Sequence, residues 1–325
     1  MRGQDTTFST DVKVINVLAT VRNKQGQIIK DLKKEDFTIE EDGRPQTIKY
    51  FSRETDLPLT LGLLVDTSGS QRMVLGAERS ASARFIDQVI REDKDQAFVI
   101  HFDFETELLQ DLTASRKKLR QAIQNIEPPQ LQRRQQTGGG GYPGGGQGRR
   151  GGGTVLYDAV MLASDELMRN QAGRKALILL TDGVDQGSRL SVNDAIESCQ
   201  RSETLIYSIL FFDEQAYGGQ QMGPMMGGRR RGGGPPMRIP VQNHPDGKKI
   251  LQKMSRETGG GFFEVSKKVP IEETFERIQE ELRSQYSIGY SSDKPNGGAG
   301  FRSIRLTTSQ KNLIVQTRDK YYAAK

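Results

Sequence analysis

Between residues 59 and 285, short apolar runs alternate with amphipathic stretches. The apolar runs predict six strands: LTLGLLV (59–65), QAFVIHF (96–102), TELLQ (106–110), KALILLT (175–181), TLIYSILFF (204–212) and GFFEV (261–265). The amphipathic stretches predict helices at 71–91, 115–126, 155–169, 191–201, 246–257 and 270–285. Strands that alternate with helices are typical of a doubly wound α/β sheet.

The character of these strands indicates their arrangement. The first, fourth and fifth are almost continuously apolar, as expected for strands covered by helices on both faces. The third follows the second after only a few residues, too few for a crossover helix, so we expect it to pair antiparallel at an edge. The predicted sheet is therefore six-stranded and mostly parallel, with the order 3-2-1-4-5-6.

The two flanks of this region alternate apolar and polar residues with a period of two, as β-strands do. The runs are VINVLATVR (14–22) and DFTIEEDGRPQTIKYF (36–51), with a turn at Asp42-Gly43, and later YSIGYS (286–291), FRSIRLTT (301–308) and NLIVQTR (312–318). About 45 residues are few for an independent core. We therefore expect both flanks to form one small β-sandwich, with domain boundaries at 1–55, 56–285 and 286–325.

Two segments, 128–153 and 215–244, differ from the rest in composition. They contain 19 of the 36 glycines and eight of the 47 basic residues, all eight arginine, and no acid. Without those arginines, 39 basic residues face 41 acidic ones, so the formal charge of +6 belongs to these segments. Such a composition buries too little apolar surface to fold. We interpret 128–153 and 213–245 as Gly/Arg-rich loop insertions.

Several protein classes can be assessed from composition. No run reaches the roughly 18 to 20 apolar residues that cross a bilayer, and MRGQDTTFST lacks the apolar region of a signal peptide. We expect either an intracellular protein or a numbering that begins after a removed signal or at a trimmed start. The single cysteine, Cys199, excludes an internal disulfide and a cysteine-based metal site, and we expect it to be a small buried side chain.

Polar side chains follow the first and fourth strands. The first ends at Asp66 in the sequence DTSGS (66–70), and the fourth ends in TDG (181–183), which contains Asp182. The predicted strand order reverses between these two strands, and ligands bind at such a point beyond the carboxyl ends. Ser68 and Ser70 occupy alternate positions, so a tight turn can direct them inward with Asp66. Thr154, at the predicted N-cap of the next helix, adds another hydroxyl.

Carboxylates and hydroxyls without histidine or cysteine suit Mg²⁺, Mn²⁺ or Ca²⁺ rather than zinc or copper. So few carboxylates leave the charge of a divalent ion only partly neutralised. The ion would therefore attract an external anion, most naturally an Asp or Glu side chain of a partner protein.

These residues resemble the von Willebrand factor type A (VWFA) domain family, whose domain has a Rossmann-like fold. DTSGS matches its D-x-S-x-S motif, Thr154 its separated threonine, and TDG its T-D-G element. In that family these elements form the metal-ion-dependent adhesion site (MIDAS), where serines and threonine contact the metal and aspartates bind directly or through water. The resemblance implies Mg²⁺ at Asp66, Ser68, Ser70, Thr154 and Asp182, and an acidic partner residue that completes the shell.

The flanks resemble a bacterial group of such proteins, common in acidobacteria. In that group V.VxNxxGQxIxxLxxEDFTIxEDG precedes the domain, and YxIGYxS with a late RxxYY follows it. Its members are typically exported, so the resemblance implies a secreted, periplasmic or cell-envelope location.

A metal-dependent or serine hydrolase is one alternative function. A serine nucleophile needs a positioned base, and we expect His101 to be a core or rim residue and His244 to lie in a loop. A phosphatase with Asp66 as nucleophile would need an acid where Ser68 stands, and no phosphate-binding G-x-x-x-x-G-K-[ST] loop is present. These features favour a non-enzymatic binding module.

Nucleic-acid binding through the arginine–glycine segments is the other alternative. Such segments bind by electrostatics and arginine stacking, so their affinity would fall steeply with salt. We favour a solubilising or partner-binding role for these loops over nucleic-acid binding.

Overall fold

The computed structural model describes residues 14–53, 57–127, 154–211, 246–266, 268–294 and 298–323. Its strands are β1 (Val14–Asn23), β2 (Phe37–Glu41), β3 (Arg44–Gln46), β4 (Ile48–Arg53), β5 (Leu59–Asp66), β6 (Gln96–Phe102), β7 (Thr106–Thr113), β8 (Arg174–Thr181), β9 (Thr204–Phe211), β10 (Phe262–Val265), β11 (Tyr286–Ser291), β12 (Gly300–Thr308), β13 (Leu313–Thr317) and β14 (Lys320–Ala323). Its α-helices are α1 (Leu75–Val89), α2 (Arg116–Gln124), α3 (Leu156–Leu162), α4 (Val192–Arg201), α5 (Gly247–Thr258) and α6 (Ile271–Arg283).

The central sheet has six strands in the order β10-β9-β8-β5-β6-β7. The first five pair in parallel, whereas β7 pairs antiparallel with β6 at the edge. Counted along the chain within this sheet, the order is 3-2-1-4-5-6. The predicted fold class is therefore confirmed, including the antiparallel edge strand.

Helices cover both faces of the central sheet. One hydrophobic cluster joins the sheet to α1, α2 and α6, and the other joins it to α3, α4 and α5. Every residue of β5 and β8 is buried, which explains why these strands are almost continuously apolar. Cys199 lies buried in the second cluster, as predicted.

The flanks form two four-stranded antiparallel sheets, ordered β13-β1-β11-β4 and β14-β12-β2-β3. Their inner faces share one apolar core, and each sheet contains strands from both ends of the chain. This arrangement agrees with the predicted β-sandwich, although β14 was not among the predicted strands. The proposed boundary near residue 55 falls in 54–56, outside the described residues, and the domain boundaries remain a prediction.

A buried carboxylate connects the two flanking sheets. Glu41 of β2 is 0% exposed, and it accepts hydrogen bonds from the hydroxyls of Tyr290 and Tyr321 at 2.9 Å each. Ser292 Oγ at 2.6 Å and Arg302 Nη1 at 3.0 Å are further donors. Burial alone would raise the pKa of Glu41, but these four donors outweigh it and lower the pKa.

Two predicted helices differ from the observed ones. The helix predicted from residue 71 begins at Leu75, because the chain first closes a 3₁₀ turn at Gly69–Gln71 in which Gln71 N–H donates to Ser68 O. The helix predicted over 155–169 is α-helical only to Leu162 and continues as a π-helix over Ala163–Met168. The Asp42-Gly43 turn is present, with φ of 47° and 74°.

Both predicted loop insertions lie outside the described residues, so the nucleic-acid alternative remains a prediction. Within the part of the chain that the structure describes, none of the helices combines the length and apolarity needed to cross a bilayer.

Candidate metal centre

Asp66 is the last residue of β5 and lies at the carboxyl edge of the central sheet, where its side chain is 0% exposed. Its Oδ1 accepts a hydrogen bond from Ser68 N–H at 2.9 Å, and its Oδ2 accepts one from the Thr181 hydroxyl at 2.6 Å. The carboxylate is therefore fixed by its own loop on one side and by the end of β8 on the other.

The ends of β5 and β8 meet through two further side chains. The Ser70 hydroxyl donates to Asp182 Oδ2 at 2.7 Å, and Ser68 Oγ lies 3.0 Å from Ser70 Oγ. Asp182 Oδ1 also accepts from Val184 N–H at 3.0 Å, which fixes the turn after β8. The structure thus brings four of the five predicted site residues into one hydrogen-bonded group around Asp66.

The prediction that Thr154 is the N-cap of the next helix was wrong. The helix begins at Leu156, and the cap position is occupied by Val155, whose side chain makes no capping bond. Instead, Asp185 Oδ2 at 3.2 Å and Ser188 Oγ at 3.1 Å accept from Tyr157 N–H. Distant loop residues cap α3, so the Thr154 hydroxyl is not used for this purpose.

Thr154 lies beside the turn that follows β8. Its carbonyl oxygen accepts from Gln186 N–H and Gly187 N–H at 3.1 Å each, while the next residue, Val155, donates its N–H to Asp103 O at 2.8 Å. Thr154 is 9% exposed, and its hydroxyl makes no hydrogen bond to any other residue that the structure describes. Its backbone is therefore fixed close to the Asp182 loop, and its hydroxyl is available to a ligand.

Burial raises the pKa of Asp66 from 3.8 to about 7. Hydrogen bonds from Ser68 and Thr181 oppose this shift, and the negative charge of Asp182 adds to it. At neutral pH the carboxylate therefore lacks full compensation for its charge, a condition that a bound cation would relieve.

The donor set fits a hard divalent cation. Two carboxylates and three hydroxyls supply only oxygen atoms, which Mg²⁺, Mn²⁺ and Ca²⁺ prefer. In the described part of the chain, no group of three or more His, Cys, Asp or Glu side chains has an arrangement that could hold a metal ion. Any ion at this edge would thus depend largely on neutral hydroxyl oxygens.

The sequence profile of the von Willebrand factor type A domain matches residues 61–184. The chain contains a von Willebrand factor type A (VWA) domain. The matched span includes all of β5 except its first two residues, all of β8 and all five predicted site residues, whereas no curated protein matches the chain.

Several solved structures are similar to this chain. BatB from Bacteroides thetaiotaomicron is 14% identical over 69% of this chain and 97% of its own, with a TM-score of 0.47. A mussel byssus protein, proximal thread matrix protein 1 with a zinc-occupied MIDAS motif, is 14% identical over 74% of this chain and 49% of its own, with a TM-score of 0.48. A von Willebrand factor type A protein from Catenulispora acidiphila is 12% identical over 89% of this chain and 73% of its own, with a TM-score of 0.48.

Two glycines let the start of α5 lie close to the turn that contains Asp182. Gly183 has a φ of +78°, and a Cβ there would lie 2.5 Å from the carbonyl oxygen of Gly247, the first residue of α5. A Cβ on Gly247 would lie 2.2 Å from the carbonyl oxygen of Asp182. The helix start therefore packs directly on the Asp182 turn, which only glycine permits.

Two side-chain contacts at or beside the site were not predicted from the sequence. Thr181 precedes Asp182 in the T-D-G element, but only the fold reveals that its hydroxyl bonds Asp66. Thr67 points away from the site, with its hydroxyl 3.3 Å from both Phe102 O and His101 Nδ1. No local sequence signal pairs Thr67 with His101, since the contact depends on strand register.

His101 lies at the rim of the sheet, as predicted. Its Nε2 is 3.0 Å from Glu107 Oε2 on β7, so the ring connects the loop after β5 to the edge strand. No hydrogen bond joins it to Ser68 or Ser70 among the described residues. His244 lies outside the described residues, as does its predicted loop.

Proposed function

We propose that the VWA domain is a non-enzymatic, metal-ion-dependent protein-binding module. Side-chain oxygens of Asp66, Ser68, Ser70, Thr154 and Asp182 would hold Mg²⁺, or Mn²⁺ or Ca²⁺ in its place. The hydrogen bond of 2.7 Å between Ser70 and Asp182 carries the proposal, because it joins the two motifs that supply these oxygens.

The charge of the site supports a carboxylate as the partner group. Three of the five oxygen donors are neutral hydroxyls, so a divalent ion there would keep part of its charge. A hard, incompletely neutralised cation attracts oxygen anions, and the protein side chains that supply them are Asp and Glu. The ion supplies a docking point for such a carboxylate, and the residues of this chain fix where that point lies.

The arrangement of hydroxyls supports binding rather than turnover. A serine nucleophile requires a base within hydrogen-bond reach. Ser70 instead donates to a carboxylate that belongs to the proposed metal set, and His101 is engaged with Thr67 and Glu107.

Thermal unfolding tests ion binding. Mg²⁺ or Mn²⁺ at about 100 times its Kd should stabilise the wild type by about 2.7 kcal/mol and raise Tm accordingly. Asp66→Ala should show no such rise, because its buried carboxylate is the centre of the hydrogen-bonded group. Asp111→Ala, which removes an exposed aspartate of β7, should respond as the wild type does. Equal shifts in the wild type and Asp66→Ala would refute the proposal.

Peptide binding tests the partner chemistry. Immobilised wild-type protein with Mg²⁺ should select peptides that contain Asp or Glu over matched peptides with Asn or Gln, and EDTA should abolish the difference. Selection that persists in EDTA or in Asp66→Ala would indicate that the metal site is not the docking point.

We also propose that the protein is exported to the cell envelope or beyond, as are the bacterial proteins that its flanks resemble. The genomic sequence upstream of Met1 tests this proposal. A secretion signal there would support it, and an in-frame stop codon directly upstream of Met1 would contradict it.

A further inference from the structure

The face of α1 that packs on the sheet contains polar residues inside an apolar core. Gln71, just before the helix, and Glu78 and Ser82 within it are 2%, 0% and 1% exposed. Glu78 and Ser82 are four residues apart and therefore lie on one side of α1, and Gln71 ends the 3₁₀ turn that precedes the helix. Leu75 and Phe85 on the same side belong to the hydrophobic cluster beneath the sheet. Three polar side chains thus lie where the pattern calls for apolar ones.

The oxygens of these side chains lack partners. Both carboxylate oxygens of Glu78, the Oε1 of Gln71 and the Oγ of Ser82 are buried without a hydrogen bond among the described residues. An unpaired buried polar group costs stability, and an unpaired buried charge costs much more. Four such oxygens lie at the start of α1 and on its buried face, where a ligand could supply their missing partners.

The protein itself offers no positive charge to Glu78 among the described residues. On the same helix, Arg79 donates to the carbonyl oxygens of Gln124 and Ile126, and Arg84 pairs with Glu272. From the helices packed against α1, Arg120 pairs with Asp87, and Arg283 donates to Gln88 O. These four arginines are thus committed to groups other than Glu78.

The charged neighbour that influences Glu78 has the same sign. Burial raises the pKa of Glu78 well above its ordinary value of 4.5, and the negative charge of Asp66 raises it further. Two carboxyl groups therefore lie within electrostatic reach of each other in the interior, and neither forms an ion pair in the described part of the chain.

We propose that Glu78, together with the side-chain oxygens of Gln71 and Ser82, forms an internal cation site on the sheet-facing side of α1. This internal site is distinct from the metal site proposed at Asp66, Ser68, Ser70, Thr154 and Asp182, which we call the edge site. All of its donors are oxygens, so it would take a small hard cation such as Mg²⁺, Mn²⁺ or Ca²⁺. Glu78 forms no metal-competent group with Asp66 and Asp182 in the described residues, so it is not a sixth member of the edge site. This inference does not depend on the proposed function.

An ion at Glu78 would have a structural consequence for the edge site. Glu78 lies in the first turn of α1, which follows the DTSGS loop after a short 3₁₀ turn. Binding there would compensate the charge next to Asp66 and stabilise the start of the helix that positions Ser68 and Ser70.

The number of bound Mn²⁺ ions tests the inference, measured by equilibrium dialysis with electron paramagnetic resonance detection of free Mn²⁺. The wild type should bind two ions and Glu78→Gln one, since the amide keeps the shape and loses the charge. Asp66→Asn should also bind one. Asp87→Asn, which alters a half-buried acid of the same helix that pairs with Arg120, should bind two.

Each outcome is decisive. If Glu78→Gln binds as many ions as the wild type, Glu78 simply retains a proton and the internal site does not exist. If the wild type binds one ion that Asp66→Asn loses and Glu78→Gln keeps, only the edge site exists and the inference is wrong. If the wild type binds one ion that only Glu78→Gln loses, the internal site exists and the edge site does not. Ser82→Ala retains the charge and should weaken one of the two sites, which provides a second variant should Glu78→Gln fail to fold.

Discussion

The hydroxyl of Ser70 donates a hydrogen bond of 2.7 Å to Oδ2 of Asp182, a residue 112 positions later in the chain. The contact joins the ends of β5 and β8, where the strand order of the central sheet reverses. Both atoms belong to the proposed metal set, so ion binding would replace this hydrogen bond by coordination. The site is therefore assembled by the fold, and substitutions that disturb the fold here should also disturb ion binding.

Thr181→Val should destabilise the ion-free protein by about 1–3 kcal/mol, because it removes the buried hydroxyl that donates to Asp66. The free energy of unfolding in urea measures this loss. Thr20→Val is the matched control: Thr20 is equally buried, but its hydroxyl has no hydrogen-bond partner among the described residues. That substitution should be neutral or stabilising. A similar loss in both variants would show that shape rather than the hydrogen bond is responsible.

The affinity for Mg²⁺ should rise with pH between 6 and 8. Burial raises the pKa of Asp66 to about 7, and a protonated carboxyl cannot bind a cation, so protons compete with the ion below that pH. Ionisation of a group with this pKa changes about tenfold between pH 6 and 8, and the association constant should follow. Isothermal titration calorimetry across this range measures it. A constant affinity would mean that Asp66 is not a ligand.

Gly183→Ala should lower both stability and the response to metal. The substitution places a Cβ against Gly247 O at a residue with φ of +78°, so the Asp182 turn must move. The expected cost is about 2–5 kcal/mol, from left-handed backbone strain and from crowding. Urea unfolding with and without Mg²⁺ measures both effects.

Gly26→Ala separates the cost of left-handed backbone strain from the cost of crowding. Gly26 has a similar φ of +82°, but nothing lies within 4 Å of its added Cβ. It should therefore cost only about 1–2 kcal/mol and leave the metal response unchanged. If Gly183→Ala behaves like Gly26→Ala in both respects, the close approach of α5 does not position Asp182.

Glu41→Gln should destabilise the β-sandwich by about 2–4 kcal/mol, because it weakens four hydrogen bonds to a buried carboxylate. Glu40→Gln on the same strand, whose nearest cation lies at 4.0 Å, should change stability by less than about 0.5 kcal/mol. Equal effects would contradict a specific role for Glu41.

The Glu41 contribution also has a defined pH dependence. The pKa of Glu41 is lowered in the folded state, so the unfolded state binds more protons at acid pH. The stabilisation should be complete above the unfolded pKa of about 4.5 and should disappear as pH falls through the folded pKa. The difference in stability between wild type and Glu41→Gln should therefore shrink on acidification.

Much of the fold could be predicted because its signals are local. The continuous apolar run of β5 and the short connection before β7 determine which strands are central and which lies at the edge. The proposed site was predictable for the same reason, since Asp66 and Asp182 follow directly on two such strands.

The remaining features depend on contacts between distant parts of the chain. Val155 rather than Thr154 is at the cap position, because Asp185 and Ser188 satisfy the helix start from another loop. The strand β14 has only four residues, too few for a clear period of two. The burial of Glu78 could not be predicted, because an acidic residue in a first helical turn is ordinarily exposed and only the packing of α1 on the sheet encloses it.

The most direct test of the central claim is a crystal structure of the protein grown with Mn²⁺ and recorded at the manganese absorption edge. Anomalous density is expected at the carboxyl edge of the sheet, at about 2.0 to 2.3 Å from the hydroxyl oxygens of Ser68 and Ser70. Asp66→Asn crystals should lack this density. Wild-type crystals with saturating Mn²⁺ and no density between Asp66 and Asp182 would contradict a metal site at this edge.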